Sequence, residues 1–276
     1  MKKILVPTDF SEQAAYALEV AAQLARKNNG EIHLLHMVEL PINQITEMGV
    51  VGGGDLPEAV FFMKLAQKRF EELLAEDFLK GITVHETVDF QQTFDGIKKT
   101  CDENNIDMIV MGSHGATGLK EMFIGSNTEK VVRTSEIPVL VIKNKHESFT
   151  VSDFVFASDF KNDNKETYRQ AIEFAKFFNS KIHLLFVNTV NNFTTTPDAK
   201  ARIAKFIEGF EFDNYEVNIF NDSTVEKGIL NFSHQVEADL IGISTHGRQG
   251  IAHFFNGSIS EDLVNHAKRQ VITFKI

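Results

Sequence analysis

Residues 108–115 read Met-Ile-Val-Met-Gly-Ser-His-Gly, and after nine further residues the chain continues Gly125-Ser-Asn-Thr-Glu129. A short continuous apolar run is typical of a strand that is buried on both faces of a parallel sheet. The spaced glycines allow the backbone to turn tightly and to approach a ligand closely. The stretch therefore predicts a strand, a glycine loop and a helix that begins near Ser126.

The residues before and after this stretch alternate between apolar runs and helical spacing. The predicted elements are strand Ile4–Val6, helix Ala14–Asn28, strand Ile32–Val38, helix Ala59–Leu79, strand Ile82–Val88, helix Phe94–Asn104, strand Met108–Met111, helix Ser126–Thr134 and strand Val139–Ile142. This alternation predicts a parallel, doubly wound α/β sheet with helices on both faces. Ligands bind such sheets outside the carboxyl ends of the strands, where the strand order reverses. Asp9 and Gly112 should face one crevice if the first and fourth strands are neighbours.

The pattern occurs twice in the chain, as an internal repeat. Asp9-Phe10 recurs 150 positions later as Asp159-Phe160, whereas the glycine segment recurs 132 positions later as Ser244-Thr-His-Gly247, with Gly257-Ser258 after nine residues. The first copy therefore holds 18 more residues between these stretches. We predict two tandem Rossmann-like (flavodoxin-like) domains, each with a five-stranded parallel sheet. Residues 1–145 carry the intact loop and residues 150–276 the altered one.

Composition excludes several classes of partner. The 276 residues carry a formal net charge of −10, which argues against nonspecific binding to nucleic acid or to an anionic membrane. The single cysteine, Cys101, excludes an intramolecular disulfide and fits a reducing compartment. No segment resembles a targeting peptide or a membrane span. We expect a cytoplasmic protein in which any phosphate site is built from backbone N–H groups.

Two features of the glycine segment favour an anion. Successive N–H groups in such a loop form an anion-binding nest, and the following helix N-terminus adds further donors and a favourable dipole. The hydroxyls of Ser126 and Thr128 could also donate to phosphate oxygens. Alternatively, Ser126 and Glu129 form a capping box that serves only their own helix. Asp9 likewise has two interpretations, because it could bind ribose or adenine, or it could cap the first helix.

Catalytic machinery is not evident from the residues. His114 and His246 correspond between the copies, but neither has a visible acid partner or metal-ligand spacing. The chain lacks the Gly-x4-Gly-Lys-Ser/Thr element and the Gly-x-Gly-x-x-Gly dinucleotide fingerprint. The parts needed for efficient phosphoryl transfer are not recognisable either. We therefore predict no catalytic residues and no metal ligands.

Three segments carry a resemblance to the universal stress protein family, specifically to its tandem two-domain members. They are Val6-Pro-Thr-Asp-Phe10, His36-Met-Val38 and Met111-Gly-Ser-His-Gly115 with Gly125-Ser126. The last matches the family's Gly-x2-Gly-x9-Gly-Ser/Thr signature at every fixed position. The resemblance implies an adenine-nucleotide-binding domain that pairs through its last strand. The cofactor we expect is ATP or AMP, with Mg as an optional companion.

The resemblance also assigns two sets of residues to nucleotide sites. The first set is Pro7, Thr8, Asp9, Met37, Met111, Gly112, His114, Gly115, Gly125, Ser126, Asn127 and Thr128. The corresponding second set is Ser158, Asp159, Val187, Ser244, Gly247, Gly257, Ser258, Ile259 and Ser260. Asn127 departs from the apolar residue usual at its position. Ser244 replaces a glycine, which should weaken the second site if the loop there needs a positive φ.

Three functions remain open at this point. The first is a non-enzymatic adenine-nucleotide sensor in a stress response, the second a slow ATPase or phosphoryl-transfer enzyme, and the third a nucleotide-independent adaptor. For assembly, the resemblance predicts an intramolecular pseudo-dimer in which strands Val139–Ile142 and Val271–Phe274 meet. Further pairing into a homodimer is a related expectation.

Overall fold

The computed structural model describes residues 1–38, 56–90, 93–114, 125–161, 164–245 and 263–276. Contacts divide the chain into two compact units, Met1–Thr117 and Gly118–Ile276. This division falls before the end of the first sequence repeat, because strand Val139–Ile142 pairs with a strand near the C-terminus. The domain bounds drawn from the repeat, 1–145 and 150–276, stay a prediction.

The first unit is a parallel sheet covered by helices. Its strands are β1 (Lys3–Pro7), β2 (Glu31–Met37), β3 (Thr83–Asp89) and β4 (Met108–Gly112), in the order β3-β2-β1-β4. Its helices are α1 (Glu12–Asn28), α2 (Leu56–Leu74) and α3 (Thr93–Asn104), with a 3₁₀ turn at Asp77–Leu79. Each strand pair here is parallel. These elements lie within a few residues of their predicted positions.

Local sequence explains the bounds of α1. The Ser11 side chain accepts the N–H of Ala14 at the start of the helix, as a good N-cap does. At the other end Asn29 adopts a left-handed conformation with φ 47°, which asparagine tolerates and which stops the helix. Between these caps, eight mainly small apolar residues are buried against the sheet.

The second unit holds the remaining elements. They are α4 (Ser126–Thr134), β5 (Val139–Ile142), β6 (Asp153–Ala157), α5 (Lys165–Phe178), β7 (Lys181–Asn188), α6 (Thr196–Ile207), β8 (Tyr215–Asn221), α7 (Val225–Gln235), β9 (Leu240–Thr245) and β10 (Gln270–Lys275). The strand order is β5-β10-β9-β6-β7-β8. Strands β6 to β10 form the predicted five-stranded parallel sheet. The α/β fold class is thus confirmed.

Strand β5 joins this sheet in the opposite direction. It pairs antiparallel with β10, in a register that sets Val141 against Val271 and Val139 against Thr273. The pairing of these two strands agrees with the expectation drawn from the sequence. All four β5 residues are buried, so the pairing is part of the core of the second unit.

Two aspartates show that the repeat is structural. Asp107, just before β4, accepts the backbone N–H groups of Lys2 and Lys3 through Oδ2 at 2.6 and 3.0 Å. Asp239, just before β9, accepts those of Ser152 and Asp153 at 2.7 and 3.1 Å. Each carboxylate ties the start of the first strand of its repeat to the start of the fourth.

Among the described residues, no helix combines the length and the apolar character that a membrane crossing requires.

Candidate functional site

The first candidate site lies at the carboxyl ends of β1, β2 and β4. Strand β1 pairs with β2 on one side and with β4 on the other, so the strand order reverses around it. The predicted neighbourhood of the first and fourth strands is confirmed. Pro7, Met37 and Gly112 end the three strands at this reversal. This is the position at which open α/β sheets bind ligands.

The turn after β1 is held by several hydrogen bonds. The Thr8 N–H donates to Leu35 O at 2.8 Å, and Thr8 Oγ1 accepts the N–H of Phe10 at 3.0 Å. His36 Nδ1 lies 2.8 Å from Thr8 O, which ties the end of β2 to this turn. Phe10 has φ 60°, a left-handed conformation that costs a non-glycine residue about 1 to 3 kcal/mol. The surroundings therefore fix a strained backbone immediately after Asp9.

The structure separates the two interpretations of Asp9. Ser11, not Asp9, is the N-cap of α1. Asp9 Oδ1 accepts the Ser11 N–H at 3.0 Å, and the Asp9 side chain is exposed. The carboxylate is therefore presented at the surface of the crevice.

A cavity of about 160 Å³ opens beside Asp9. It is lined by Asp9, Phe10, His36, Val38, Phe62, Leu65, Ala66 and Arg69. The Phe10 ring packs against His36 at 4.6 Å between centroids, and the Arg69 guanidinium lies 6.0 Å from the centre of the same ring. Four of these residues belong to α2 and were not predicted from the sequence. Their helical spacing was visible, but the face that α2 turns towards β1 was not.

Gly112 is required for a reason other than a positive φ. Gly112 is not among the glycines that have a positive φ in the described part of the chain. A Cβ on Gly112 would lie 2.8 Å from Gln13 O and 2.9 Å from Gln13 C, in the backbone of α1. The close approach of strand and helix, rather than a turn, excludes a side chain here. The proposed φ penalty does not apply to this first glycine.

The start of α4, in the second unit, carries the next predicted residues. Gly125 is the N-cap and makes no side-chain cap, so the capping box proposed for Ser126 and Glu129 is not formed. Ser126 and Asn127 are exposed, whereas Thr128 is 5% exposed. The first N–H groups of such a helix have no intrahelical acceptor and can bind an anion.

The remaining residues of the first set are less fully described. Met111 is buried at the end of β4, and His114 Nδ1 lies 3.0 Å from Ser113 Oγ. Gly115 lies outside the described residues. Pro7, Thr8, Asp9, Met37, Met111, Gly112 and His114 are thus all placed at the carboxyl edge of the first unit.

In the second repeat, Asp159 corresponds to Asp9 and is bonded to neighbouring side chains of the protein. Asp159 is 8% exposed, and its Oδ1 accepts the side-chain N–H of Asn164 at 2.7 Å. Lys161 adds an ion pair of 3.0 Å to Oδ2 and a backbone hydrogen bond of 3.2 Å to Oδ1. These bonds satisfy the carboxylate without a ligand.

The cavity beside Asp159 is also nearly filled. Its volume is about 20 Å³, room for about one water molecule, and Ser158, Val187 and Asn192 are among its lining residues. Asn192 belongs to a short turn after β7 in which its N–H donates to Thr189 O at 3.1 Å. The turn comes directly after β7, in the repeat that lacks the 18 extra residues.

Ser244, which replaces the first loop glycine, faces helix α5. Its hydroxyl lies 2.7 Å from Thr167 Oγ1, and both residues are essentially buried. Thr167 donates its own hydroxyl proton to Asn164 O at 2.8 Å, so Ser244 donates to Thr167. The Ser244 hydroxyl is therefore used inside the second unit. The other predicted residues of this loop, Gly247, Gly257, Ser258, Ile259 and Ser260, lie outside the described residues.

A separate polar cluster lies at the opposite, amino-terminal edge of the first sheet. Glu31, His33 and His85 bring their ligand-type atoms within 4.8 Å of one another. No metal ligands are predicted from the sequence, and this grouping of three side chains was not expected from it. Glu31-x-His33 on one strand was a visible signal, because residues i and i+2 share a face. The pairing of His33 with His85 depends on strand register.

Comparison with known proteins places the chain. The sequence model of the universal stress protein family matches residues 1–143 and 216–275. A universal stress protein of Methanocaldococcus jannaschii is 36% identical over 157 residues, which cover 52% of this chain and 96% of that protein. A universal stress protein of Synechocystis is 22% identical along the full length of both chains.

One solved structure extends the likeness to the whole fold. A universal stress protein from Archaeoglobus fulgidus superimposes with a TM-score of 0.69 at 23% identity, covering 99% of this chain and 98% of that one. This agreement establishes the fold, and the two family matches establish the tandem arrangement. The chain therefore belongs to the universal stress protein family, as a tandem two-domain member.

Proposed function

We propose that this chain is a non-enzymatic regulator of a stress response that binds adenine nucleotide, ATP or AMP with Mg, in its first repeat only. One observation carries the proposal. Asp9 is exposed beside a cavity of about 160 Å³, whereas Asp159 is buried, bonded by Asn164 and Lys161, and adjoins only about 20 Å³. The same backbone position is thus exposed beside a cavity in one repeat and buried in the other.

The chemistry of the first crevice suits a nucleoside. An exposed carboxylate accepts hydrogen bonds from ribose hydroxyls or from an adenine amino group, which is the role proposed for Asp9. Phe10 and Phe62 offer aromatic faces in the cavity wall. Met37 ends β2 at the same edge, where the family resemblance puts its backbone against the adenine.

Phosphate would be held by main-chain donors. The predicted donors are the loop from Gly112 to Gly115 and the helix start at Ser126, Asn127 and Thr128, with Gly125 as N-cap. Arg69 adds a guanidinium to the cavity wall, which matters in a chain of net charge −10. Arg69 therefore joins the sequence-derived residues of the proposed site.

The proposed role is regulation by occupancy. A ligand that binds only the folded first repeat stabilises it by mass action, by about 2.7 kcal/mol at a concentration of 100 Kd. Such stabilisation can change partner choice without turnover of the nucleotide. A cytoplasmic location and a homodimer belong to the same proposal.

The test is native mass spectrometry of the full chain titrated with ATP at fixed Mg. Asp9→Asn and its counterpart Asp159→Asn are the matched pair, because both substitutions are isosteric. We expect one nucleotide per chain, at least tenfold weaker binding for Asp9→Asn, and unchanged binding for Asp159→Asn. A phosphate-release assay on the same samples should stay at background.

The other outcomes are equally informative. Two nucleotides per chain would show that the second repeat also binds and would overturn the single-site proposal. No binding at millimolar ATP would support the nucleotide-independent adaptor. Steady release of phosphate that is lost with Asp9→Asn would support the slow ATPase.

A further inference from the structure

The cluster at the amino-terminal edge of the first sheet has the donor set of a metal site. Glu31 and His33 lie on β2, and His85 lies opposite His33 on β3 in the strand register. His33 Nε2 is 3.1 Å from Glu31 Oε1, and His85 Nε2 is 3.6 Å from Glu31 Oε2. We propose that Glu31, His33 and His85 bind a divalent transition-metal ion of the zinc class.

The distances suit such an ion. Zinc binds imidazole nitrogen and carboxylate oxygen at about 2.0 to 2.2 Å, so two ligand atoms around a tetrahedral ion lie roughly 3.4 Å apart. The two separations, 3.1 Å from His33 Nε2 to Glu31 Oε1 and 3.6 Å from His85 Nε2 to Glu31 Oε2, are close to that value but end on different carboxylate oxygens. Small side-chain rotations would therefore complete the site, because all the ligand atoms already fall within 4.8 Å.

Accessibility and ligand count are also consistent with metal binding. The His33 side chain is 10% exposed, Glu31 30% and His85 51%, so an ion can enter from the surface beside His85. Two histidines and one carboxylate are a known zinc donor set that leaves a fourth position for water or another ligand. Imidazole nitrogen favours zinc-class ions over magnesium, which prefers oxygen.

The second repeat supplies an internal comparison at the same four register positions. In the first repeat Lys3 pairs with Glu31 and His33 pairs with His85. In the second repeat Asp153 pairs with Lys181 and His183 pairs with Glu216.

In the second repeat, Lys181 stands at the register position that Glu31 has in the first. Lys181 Nζ lies 2.5 Å from Glu216 Oε2, and His183 Nε2 lies 2.8 Å from Asp153 Oδ1. An ammonium group thus neutralises an acid within the protein. In the first repeat an ammonium group, that of Lys3, also lies near the acid, but Glu31 there has two imidazoles beside it as well, which gives it the donor set of a metal site.

Lys3 is the internal competitor. Its Nζ lies 3.6 Å from Glu31 Oε1 and donates to Asn104 O at 3.1 Å. A metal ion at Glu31 must therefore displace or tolerate this ammonium. Replacing Lys3 with methionine should tighten metal binding, since it removes a nearby positive charge and leaves the three ligands in place.

The experiment uses the full chain, stripped with a chelator and titrated with Zn²⁺ against a chromophoric competitor. We expect one ion per chain with a Kd that Glu31→Gln and His85→Gln each raise at least about tenfold. Glu216→Gln, at the counterpart of His85, should leave the Kd unchanged, and Lys3→Met should lower it. Co²⁺ absorption bands in the visible region report whether the ion is four-coordinate. Circular dichroism melting of the apo variants verifies that each is folded.

Equal Zn²⁺ affinity in the wild type, Glu31→Gln and His85→Gln would overturn the proposal, as would the absence of binding at 100-fold excess of Zn²⁺ over protein. The cluster lies at the opposite edge of the sheet from Asp9, so either result is independent of nucleotide binding.

Discussion

Gly228 of α7 lies directly against Val187 of β7: a Cβ on the glycine would come within 3.0 Å of Val187 Cγ2 and closer still to Cγ1. The first repeat has the same contact with a different partner, because Gly96 of α3 lies against Met37. Met37 meets the added Cβ with Sδ at 2.7 Å and with its terminal methyl group. The end of a flexible methionine can move away, whereas the β-branched side chain of valine has restricted χ1 freedom.

We therefore expect opposite outcomes from the same substitution. Gly96→Ala should be neutral or slightly stabilising, because alanine favours a helix by about 1 kcal/mol over glycine. Gly228→Ala should destabilise the second unit by about 1 to 3 kcal/mol through overpacking. Denaturant unfolding followed by circular dichroism gives both values. Equal effects of the two substitutions would show that the methionine is as constrained as the valine.

The contrast also shows what the sequence can predict. Short buried strands were predicted well, because a continuous apolar run has few alternatives: β5 was placed at Val139–Ile142, and β4 differs by a single residue. The predicted helix Ala59–Leu79 instead ends at Leu74 and is followed by a 3₁₀ turn. In that turn the Leu79 N–H donates to Glu76 O in the tighter i to i+3 pattern, which helical spacing of apolar residues does not reveal.

The candidate sites likewise contain some residues that the sequence predicts and others that it does not. Asp9 and Gly112 were predictable, since each follows a recognisable strand. Three features were not predictable: Arg69 in the cavity wall, Gln13 packed against Gly112, and His33 opposite His85. Each depends on how two distant segments align, and one sequence does not report strand register or the face that a helix turns to its neighbour.

Asp107 should make stability depend on acid pH. Burial opposes ionisation, but the backbone N–H groups of Lys2 and Lys3 outweigh it and lower the pKa of the Asp107 carboxyl. A carboxyl with a lowered folded-state pKa stabilises the fold above its unfolded pKa, near 3.9, and this stabilisation is lost as pH falls through the folded pKa. Asp107→Asn should therefore cost about 1 kcal/mol at pH 7, a modest value because the side chain is 45% exposed.

The penalty of Asp107→Asn should shrink as pH falls below about 4. Urea unfolding at pH 7, 4 and 3 measures it, with the exposed Glu103→Gln as the control for losing one negative charge. A penalty that stays constant over this range would mean that the hydrogen bonds do not require the ionised carboxyl.

Cys101 should be an unreactive thiol in the folded chain. Burial, with a smaller effect of Asp102, raises the pKa of the Cys101 thiol to about 12. Because the thiolate is the nucleophile, alkylation at pH 8 should be on the order of 100-fold slower in the native protein than in urea. Mass spectrometry of iodoacetamide-treated samples measures both rates. Similar rates would show that α3 opens readily or that the thiol is ionised.

The two positions that begin the glycine segments should not be interchangeable. Ser244→Ala removes a buried hydrogen bond to Thr167 and should cost about 1 kcal/mol, since Thr167 keeps its bond to Asn164. Gly112→Ala adds a Cβ 2.8 Å from the backbone oxygen of Gln13, where no flexible side chain can yield. It should cost more, about 1 to 3 kcal/mol, by forcing α1 away from β4. Unfolding measurements on the two variants rank the penalties, and a smaller penalty for Gly112→Ala would show that α1 shifts freely. Such freedom would remove the steric reason for glycine at the end of β4.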